Sequence, residues 1–406
     1  MSLHNLNSNV LTEQSILNEL VFKKPETKGF LNKFLNWLRK EKKFIDRGSF
    51  YKLSPELSDR ENQIVKEFEQ VRNEHRLLSE HYNVQYNVSY RLNYSLAVWA
   101  VSLAVLSLGL LYCEHTFQGS VFIDYLETVV IILGIIKLAI LLLIYLNTTQ
   151  AQKYDFNKRA VVYRLLMEQF RHMLYLPLFG IHRLPTPSAG RFLSRHWEKS
   201  YLQKYFNEKV NEALSRLYGN TIDHQTEINY SENLATILRY VQTRWIKAQM
   251  NYHEEKAKEQ AACDEHLEMK ARILNVAVIV LVSLDVLLSI FGLFFLPKYL
   301  ENCFEKVGAP IVLIIAAIIP TMIASYNATR FQTEAKKIAE RSSFMRDLLF
   351  EIDKKYEALI KKIENTKNTS GSFTIEAIAL VNETAQTMID ELTEWSFIYA
   401  KDVMDS

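Results

Sequence analysis

The sequence predicts an all-α integral membrane protein with four transmembrane helices in two hairpins and long cytoplasmic coiled-coil-like helical stems. Three observations carry that expectation. Four apolar runs, 92–112, 126–146, 273–296 and 310–327, stand in the chain. Each is about long enough to cross a hydrocarbon layer of roughly 30 Å at about 1.5 Å per residue. The polar sequence between them keeps helical spacing nearly throughout, with only 8 Pro and 11 Gly in 406 residues. A plan also repeats, because Asn147-Thr-Thr follows the second run as Asn327-Ala-Thr follows the fourth. The chain therefore reads as two hairpins in tandem, with the second, from about Thr243 to Ile363, the clearer copy.

The N-terminal segment 1–27 is polar with scattered Leu and Val and lacks the basic flank and apolar core of a signal peptide, so it is expected to stay in the cytoplasm. Segment 28–54 follows as a basic amphipathic helix and linker. Phe30, Leu31, Phe34, Leu35 and Leu38 share one face, and Lys33, Arg39, Lys40, Lys42 and Lys43 decorate the rest. Such a helix lies in the headgroup plane or packs on the protein's own bundle.

The first helix–span–span–helix unit covers 55–176. Ile64, Phe68, Val71, His75, Leu78 and Tyr82 alternate four and three apart, which keeps one seam facing a partner helix. His75 in that seam is either a hydrogen-bonded residue at a bundle edge or a pH sensor. The loop from Cys113 to Tyr125 holds Glu114 and Asp124 and no Lys or Arg. Arg72, Arg76 and Arg91 precede the first span, and Lys153, Lys158 and Arg159 follow the second. The positive-inside rule then places the stems and both termini in the cytoplasm, less cleanly for the second hairpin, whose loop contains Lys298 and Lys306.

Segment 177–233 reads as a basic Pro/Gly linker and connecting helix. Pro177, Gly180, Pro185, Pro187 and Gly190 mark the boundary between the halves. Arg183, Arg191, Arg195 and Lys199 form a candidate anion or headgroup site there, with a solvated linker as the plainer reading. Helical spacing resumes at Leu202, Phe206, Val210, Ala213 and Leu217. The second unit, 234–406, opens on Leu234, Leu238, Val241, Trp245, Ala248 and Tyr252. After its spans, Phe331, Ala335, Ile338, Ser342, Met345, Leu349, Ile352, Tyr356, Leu359 and Ile363 alternate four and three without a break. A turn over 365–372 and a second seam at Ile378, Val381, Ala385, Met388, Leu392, Trp395 and Tyr399 predict a C-terminal helical hairpin.

Chemistry is sparse. No phosphate-binding glycine loop, HExxH pair, nucleophile elbow or CxxC pair is present, so no enzyme and no cofactor is expected. His253, Cys263 and His266 make only a fragment of a metal site. Three cysteines are too few for a disulfide framework, though Cys113 and Cys303 both fall in the predicted outer loops and leave a bridge open. A net charge of +2 names no partner, and no nucleic acid is expected.

The informative polar residues lie within the apolar runs. Lys137 and Asp285 fall near the middle of spans two and three, where a lone charge costs roughly 2.5–3.5 kcal/mol or more. They either pair and tie the hairpins together or line a polar path. Pro320 is a candidate hinge in span four, and Gly109 and Gly134 allow close helix approach.

The segment Thr243-Arg-Trp-Ile-Lys-Ala-Gln-Met, the helix carrying Tyr252, Ala257 and Ala261, the run from Thr329 to Ser343, and Glu391 to Lys401 around Trp395 together resemble the SLATT group of bacterial membrane effectors. The resemblance covers roughly Leu234 to Lys401. The first half matches in plan, with Tyr163 and Arg164 standing roughly where Phe344 and Arg346 stand, so the chain is similar to a duplicated, four-span form. The resemblance implies a homo-oligomer in the lipid bilayer, triggered at its cytoplasmic helices by a nucleotide signal or sensor protein, that permeabilises the inner membrane in anti-phage defence. A non-conducting scaffold that recruits a soluble partner through its stems is the alternative.

Overall fold

The structure, a computed structural model, describes residues 53–116, 123–185, 201–218, 233–295, 309–366 and 372–404. The amphipathic helix expected over 28–54 lies outside them. The described residues form nine α-helices: α1 (Asp59–Thr116), α2 (Ile123–Lys153), α3 (Phe156–His172), α4 (Tyr201–Tyr218), α5 (Leu234–Val241), α6 (Ala248–Phe295), α7 (Ala309–Thr333), α8 (Ala335–Asn365) and α9 (Ser372–Met404). A 3-10 turn over Leu176–Phe179 and a π-helical turn over Gln242–Lys247 complete them, and no strand is present among the described residues.

The helices divide into two compact units, with boundaries at Tyr86/Asn87, Tyr154/Asp155, Glu255/Lys256 and Arg341/Ser342. One unit gathers the stem segments of both halves and the other gathers the apolar helix pairs of both. Spatial grouping thus differs in kind from the tandem division read along the chain, because heptad seams and apolar runs seek different surroundings.

The stem unit starts with a reciprocal cap on α1. The Ser58 N–H donates to Glu61 Oε2 at 2.7 Å, and the Glu61 N–H donates to Ser58 Oγ at 3.4 Å. Asn62 braces the entering chain by donating to the carbonyls of Ser54, Leu57 and Ser58. Ile64, Phe68, Val71, His75 and Tyr82 of the predicted seam are buried, and the first three share one core with Leu166, Phe170 and Met173 of α3, Phe206, Val210 and Ala213 of α4, and Met345, Leu349, Ile352 and Tyr356 of α8. Helix α9 packs on α3 and the 3-10 turn, and buries Val381, Ala385 and Met388. Each Val, Leu, Ile, Phe or Met among them contributes about 1.5–3 kcal/mol by leaving water. Polar ties reinforce the α1–α3 contact: Tyr82 stacks on Tyr163 with ring centroids 5.6 Å apart, Arg159 Nη1 donates to Tyr82 Oη at 3.2 Å, and Ser79 Oγ donates to the Ala160 carbonyl.

Local backbone departures change three parts of the expected pattern. The start of the predicted linker is core: Leu176, Pro177, Leu178 and Phe179 are all buried, and the chain turns only at Gly180, where φ is 70°. Pro177 removes one backbone donor yet sits near the start of the turn, where none is needed. The seam of 234–252 fails at Ala248 and Tyr252, which are exposed, while Ile246 is fully buried. The π turn places one extra residue in the helix and so turns the following side chains off the seam.

The long seam of 331–363 is also interrupted. Ala335 through Leu359 keep their predicted places apart from half-buried Ile338, but Phe331 is 82% exposed. The cause is Glu334, whose φ of 47° is left-handed and breaks the helical phase between α7 and α8. Asp155, with φ 45° and ψ 48°, does the same between α2 and α3. A left-handed conformation costs a non-glycine residue about 1–2 kcal/mol, so surrounding packing must hold both.

Counted from these two acids, the halves align. The residues one, eight, eleven, fifteen and eighteen on are Phe156, Tyr163, Leu166, Phe170 and Met173 in the first half and Ala335, Ser342, Met345, Leu349 and Ile352 in the second, and all ten are buried. Tyr163 therefore corresponds to Ser342 rather than to Phe344, which is exposed.

The second unit is built on an opposite rule. Two helical stretches, Asp59–Leu111 and Thr128–Phe179, contain windows long and apolar enough to cross a membrane, with 6% and 0% of those windows buried inside the protein. Trp99, Leu108, Ile131 and Leu138 stand exposed along α1 and α2, as do Ile273, Ile279 and Leu287 along α6.

The interrupted seam is testable by denaturation in detergent. Leu349→Ala is expected to lose about 2–5 kcal/mol, whereas Phe331→Ala stays within about 0.5 kcal/mol of the parent. Equal losses would mean that the seam runs unbroken through Glu334.

Candidate functional site at the ends of the apolar helices

Polar side chains collect where the apolar helices meet their stems. In the first pair, Asn147 on α2 is fully buried and donates through Nδ2 to the Ser89 carbonyl at 2.9 Å and to Asn93 Oδ1 at 2.7 Å. Asn93 Nδ2 donates in turn to Thr148 Oγ1 at 3.0 Å. This amide clamp ties α2 to α1 at the edge of the two apolar runs. Its bonds cross between helices, so they fix relative register, which apolar packing alone leaves loose.

The second pair carries a charged clamp. Arg330 on α7 meets Asp264 on α6 in a two-pronged contact, Nε to Oδ1 at 2.5 Å and Nη2 to Oδ2 at 2.8 Å, and Nη2 also reaches Glu268 Oε2 at 2.7 Å. The planar guanidinium matches a carboxylate in this arrangement as an ammonium would not. The hydrogen bonds from Arg330 hold the Asp264 carboxyl below the usual carboxylate range. Asn327, paired with Asn147 by sequence, is exposed and takes no such place.

The residues singled out by sequence are placed unequally. Lys137 is half-buried on α2. Asp285 stands on α6, and its side chain lies outside the described residues, as does any pairing with Lys137. Pro320 sits inside α7, which continues through it from Ala309 to Thr333. A methyl group at Gly109 would overlap Ile314 Cδ1, so α1 and α7 approach closely there, while Gly134 faces open space.

Arg183 is exposed, and Arg191, Arg195 and Lys199 lie outside the described residues. So do the Cys113 side chain and Cys303; Cys263 is a free thiol. No three His, Cys, Asp or Glu side chains among the described residues group to hold a metal ion.

The stretch Thr243 to Met250 begins in the π turn. Trp245 is 1% exposed, stacks on Tyr175 with centroids 4.9 Å apart, and meets His172 edge-on at 5.5 Å. Tyr175 Oη donates to the Arg244 carbonyl at 3.0 Å, and Gln242 Nε2 donates to Asp353 Oδ1 at 2.7 Å, tying the turn to α8. His75 bonds the Val71 carbonyl through Nδ1 at 2.7 Å and Tyr205 Oη through Nε2 at 3.3 Å, and burial lowers its pKa. His172 was marked by no sequence pattern. Its Nδ1 bonds the Glu168 carbonyl at 2.7 Å, and burial pushes its pKa down to about 4.

Below pH 6.5 the unfolded chain takes up a proton at His172 that the folded chain refuses until about pH 4. Stability is therefore expected to fall as pH drops through that window, by about 3 kcal/mol from this group, with His75 acting in the same direction. His172→Gln flattens the slope of stability against pH, and an unchanged slope would show that His172 is not buried neutral. In the first clamp, Asn147→Leu is expected to lose about 1–3 kcal/mol in detergent unfolding, while Asn327→Leu changes little. Comparison of the chain with protein-family models, with curated proteins and with solved structures found no match.

Proposed function

We propose that the chain is a four-span inner-membrane effector of the SLATT type, which rests closed as a homo-oligomer and permeabilises the membrane when a nucleotide signal or partner protein engages its stem helices in anti-phage defence. The observation that carries the reading is the contrast between the two units. The stem unit closes its apolar side chains into a core, whereas the helix pairs leave Trp99, Leu108, Ile131, Leu138, Ile273, Ile279 and Leu287 exposed. Apolar surface of that extent needs lipid or a second copy against it. The clamps at Asn147 and Arg330 give each helix pair a fixed end, so a force on the stem moves the pair as a body.

A trigger shifts the closed state only by binding the open one more tightly. Lys137 and Asp285 supply the charges within the apolar runs that either bridge the closed form or attract ions in the open one. The alternative reading, a scaffold that recruits a soluble partner, is favoured by the large stem core, which needs no leak to function.

A potential-sensitive dye in cells expressing the protein separates the two. Depolarisation is expected to accompany growth arrest on phage challenge, and full polarisation in an arrested culture would leave the scaffold. Lys137→Asp and Asp285→Lys are each expected to abolish the arrest and together to restore it; no restoration removes the bridge.

A further inference from the structure

The two left-handed acids are more than kinks. Asp155 and Glu334 each stand between a helix that carries an apolar run and a stem helix, with the same buried positions following in both halves. Glu334 alone interrupts the second helical course, and Asp155 interrupts the first together with Tyr154. The Asp155 carbonyl accepts the Arg159 N–H at 2.9 Å and the Glu334 carbonyl accepts the Ile338 N–H at 3.0 Å, so helical bonding resumes at once. A change of conformation at Glu334 alone would therefore merge α7 with α8, and a change confined to Tyr154 and Asp155 would merge α2 with α3, into one continuous helix.

The opposing tendencies are visible in the chain. A left-handed acid is locally unfavourable, and the continuous helix is what the backbone prefers. Packing of Phe156, Tyr163 and Leu166 after the first bend, and of Ala335, Ser342 and Met345 after the second, holds the bent form. An independent observation marks the second form. The four-and-three spacing of Phe331, Ala335, Ile338 and Ser342 has Phe331 in phase only if the helix runs straight through Glu334. In the bent form Phe331 is instead among the most exposed large apolar side chains, at 82%. The sequence is thus patterned for a continuous helix that the folded chain does not adopt.

The geometry points to Asp155 and Glu334 as a matched pair of two-state backbone switches, left-handed at rest and helical on activation, through which a signal at the stem helices is passed into the helices that carry the apolar runs. The hinge stands on the backbone and the seam, and only its consequence rests on the leak reading. Glu334 lies close to Lys337 at 3.1 Å, and any neutral substitution removes that pair equally. Glycine accepts the left-handed conformation and alanine resists it. Comparing the two substitutions at one position therefore isolates the backbone, and Asp155 is exposed, so neither disturbs packing there.

The test uses the full chain, with its three cysteines replaced by serine, in vesicles of phosphatidylethanolamine and phosphatidylglycerol. Spin labels at Asn327→Cys and Glu340→Cys, both exposed, straddle the second hinge. In a continuous helix their backbones lie about 20 Å apart. Glu334→Ala is expected to shift weight toward that distance, and Glu334→Gly away from it, by about tenfold in the ratio of the two populations. Asp155→Gly is expected to unfold at higher denaturant than Asp155→Ala in the same full chain. With a working leak, the double Gly variant stays closed and the double Ala variant leaks untriggered. Identical distance distributions for Ala and Gly at 334, or identical unfolding midpoints at 155, would overturn the hinge while leaving the leak reading intact. Absence of any leak with the distances still divided would leave the hinge and remove the leak.

Discussion

The apolar seam that runs from α1 through α3 to α8 is the constraint on which the remaining features depend. Phe68, Leu166, Phe170, Leu349 and Tyr356 share one buried cluster, and residues far apart in sequence meet in it. Because the seam belongs to both halves, it holds the stem segments in one unit although the apolar runs separate them along the chain.

Two kinds of polar contact then divide the work. In the stem unit, polar atoms finish an apolar core: the Tyr82–Arg159 bond and the Gln242–Asp353 bond satisfy groups that burial would otherwise penalise. At the ends of the apolar helices they replace a core, since exposed aliphatic side chains there have no shared interior to set register. Asn147 does so with neutral amides and Arg330 with a charged fork, so the two halves reach one end by different chemistry. The two halves thus share a left-handed residue and the buried positions after it while their polar contacts differ.

The π turn and the left-handed residues share a physical consequence. Each alters helical phase by a fraction of a turn without ending the helical course, and each therefore decides which face of the following helix is buried. Ile246 replaces Ala248 on the seam after the π turn, and Phe331 is left outside before Glu334. Such shifts require little backbone change and redirect many side chains.

The all-helical class, the long apolar runs and most seam positions were legible in the sequence, because periodicity in side-chain polarity follows directly from the geometry of the helix. Ile64, Phe68, Val71, Leu349 and Tyr356 are buried where spacing placed them. The clamp at Arg330 was not legible, because its partners Asp264 and Glu268 lie more than sixty residues away and only folding brings them within reach. Asn147 was visible only as a repeated motif, and its twin Asn327 stands exposed because motif spacing does not report helix rotation. By itself the sequence determined which stretches form helices and which faces of them avoid water. Tertiary structure alone decided where helical phase is broken, since a residue at positive φ is held by the packing of the helix that follows it and leaves no mark in local composition.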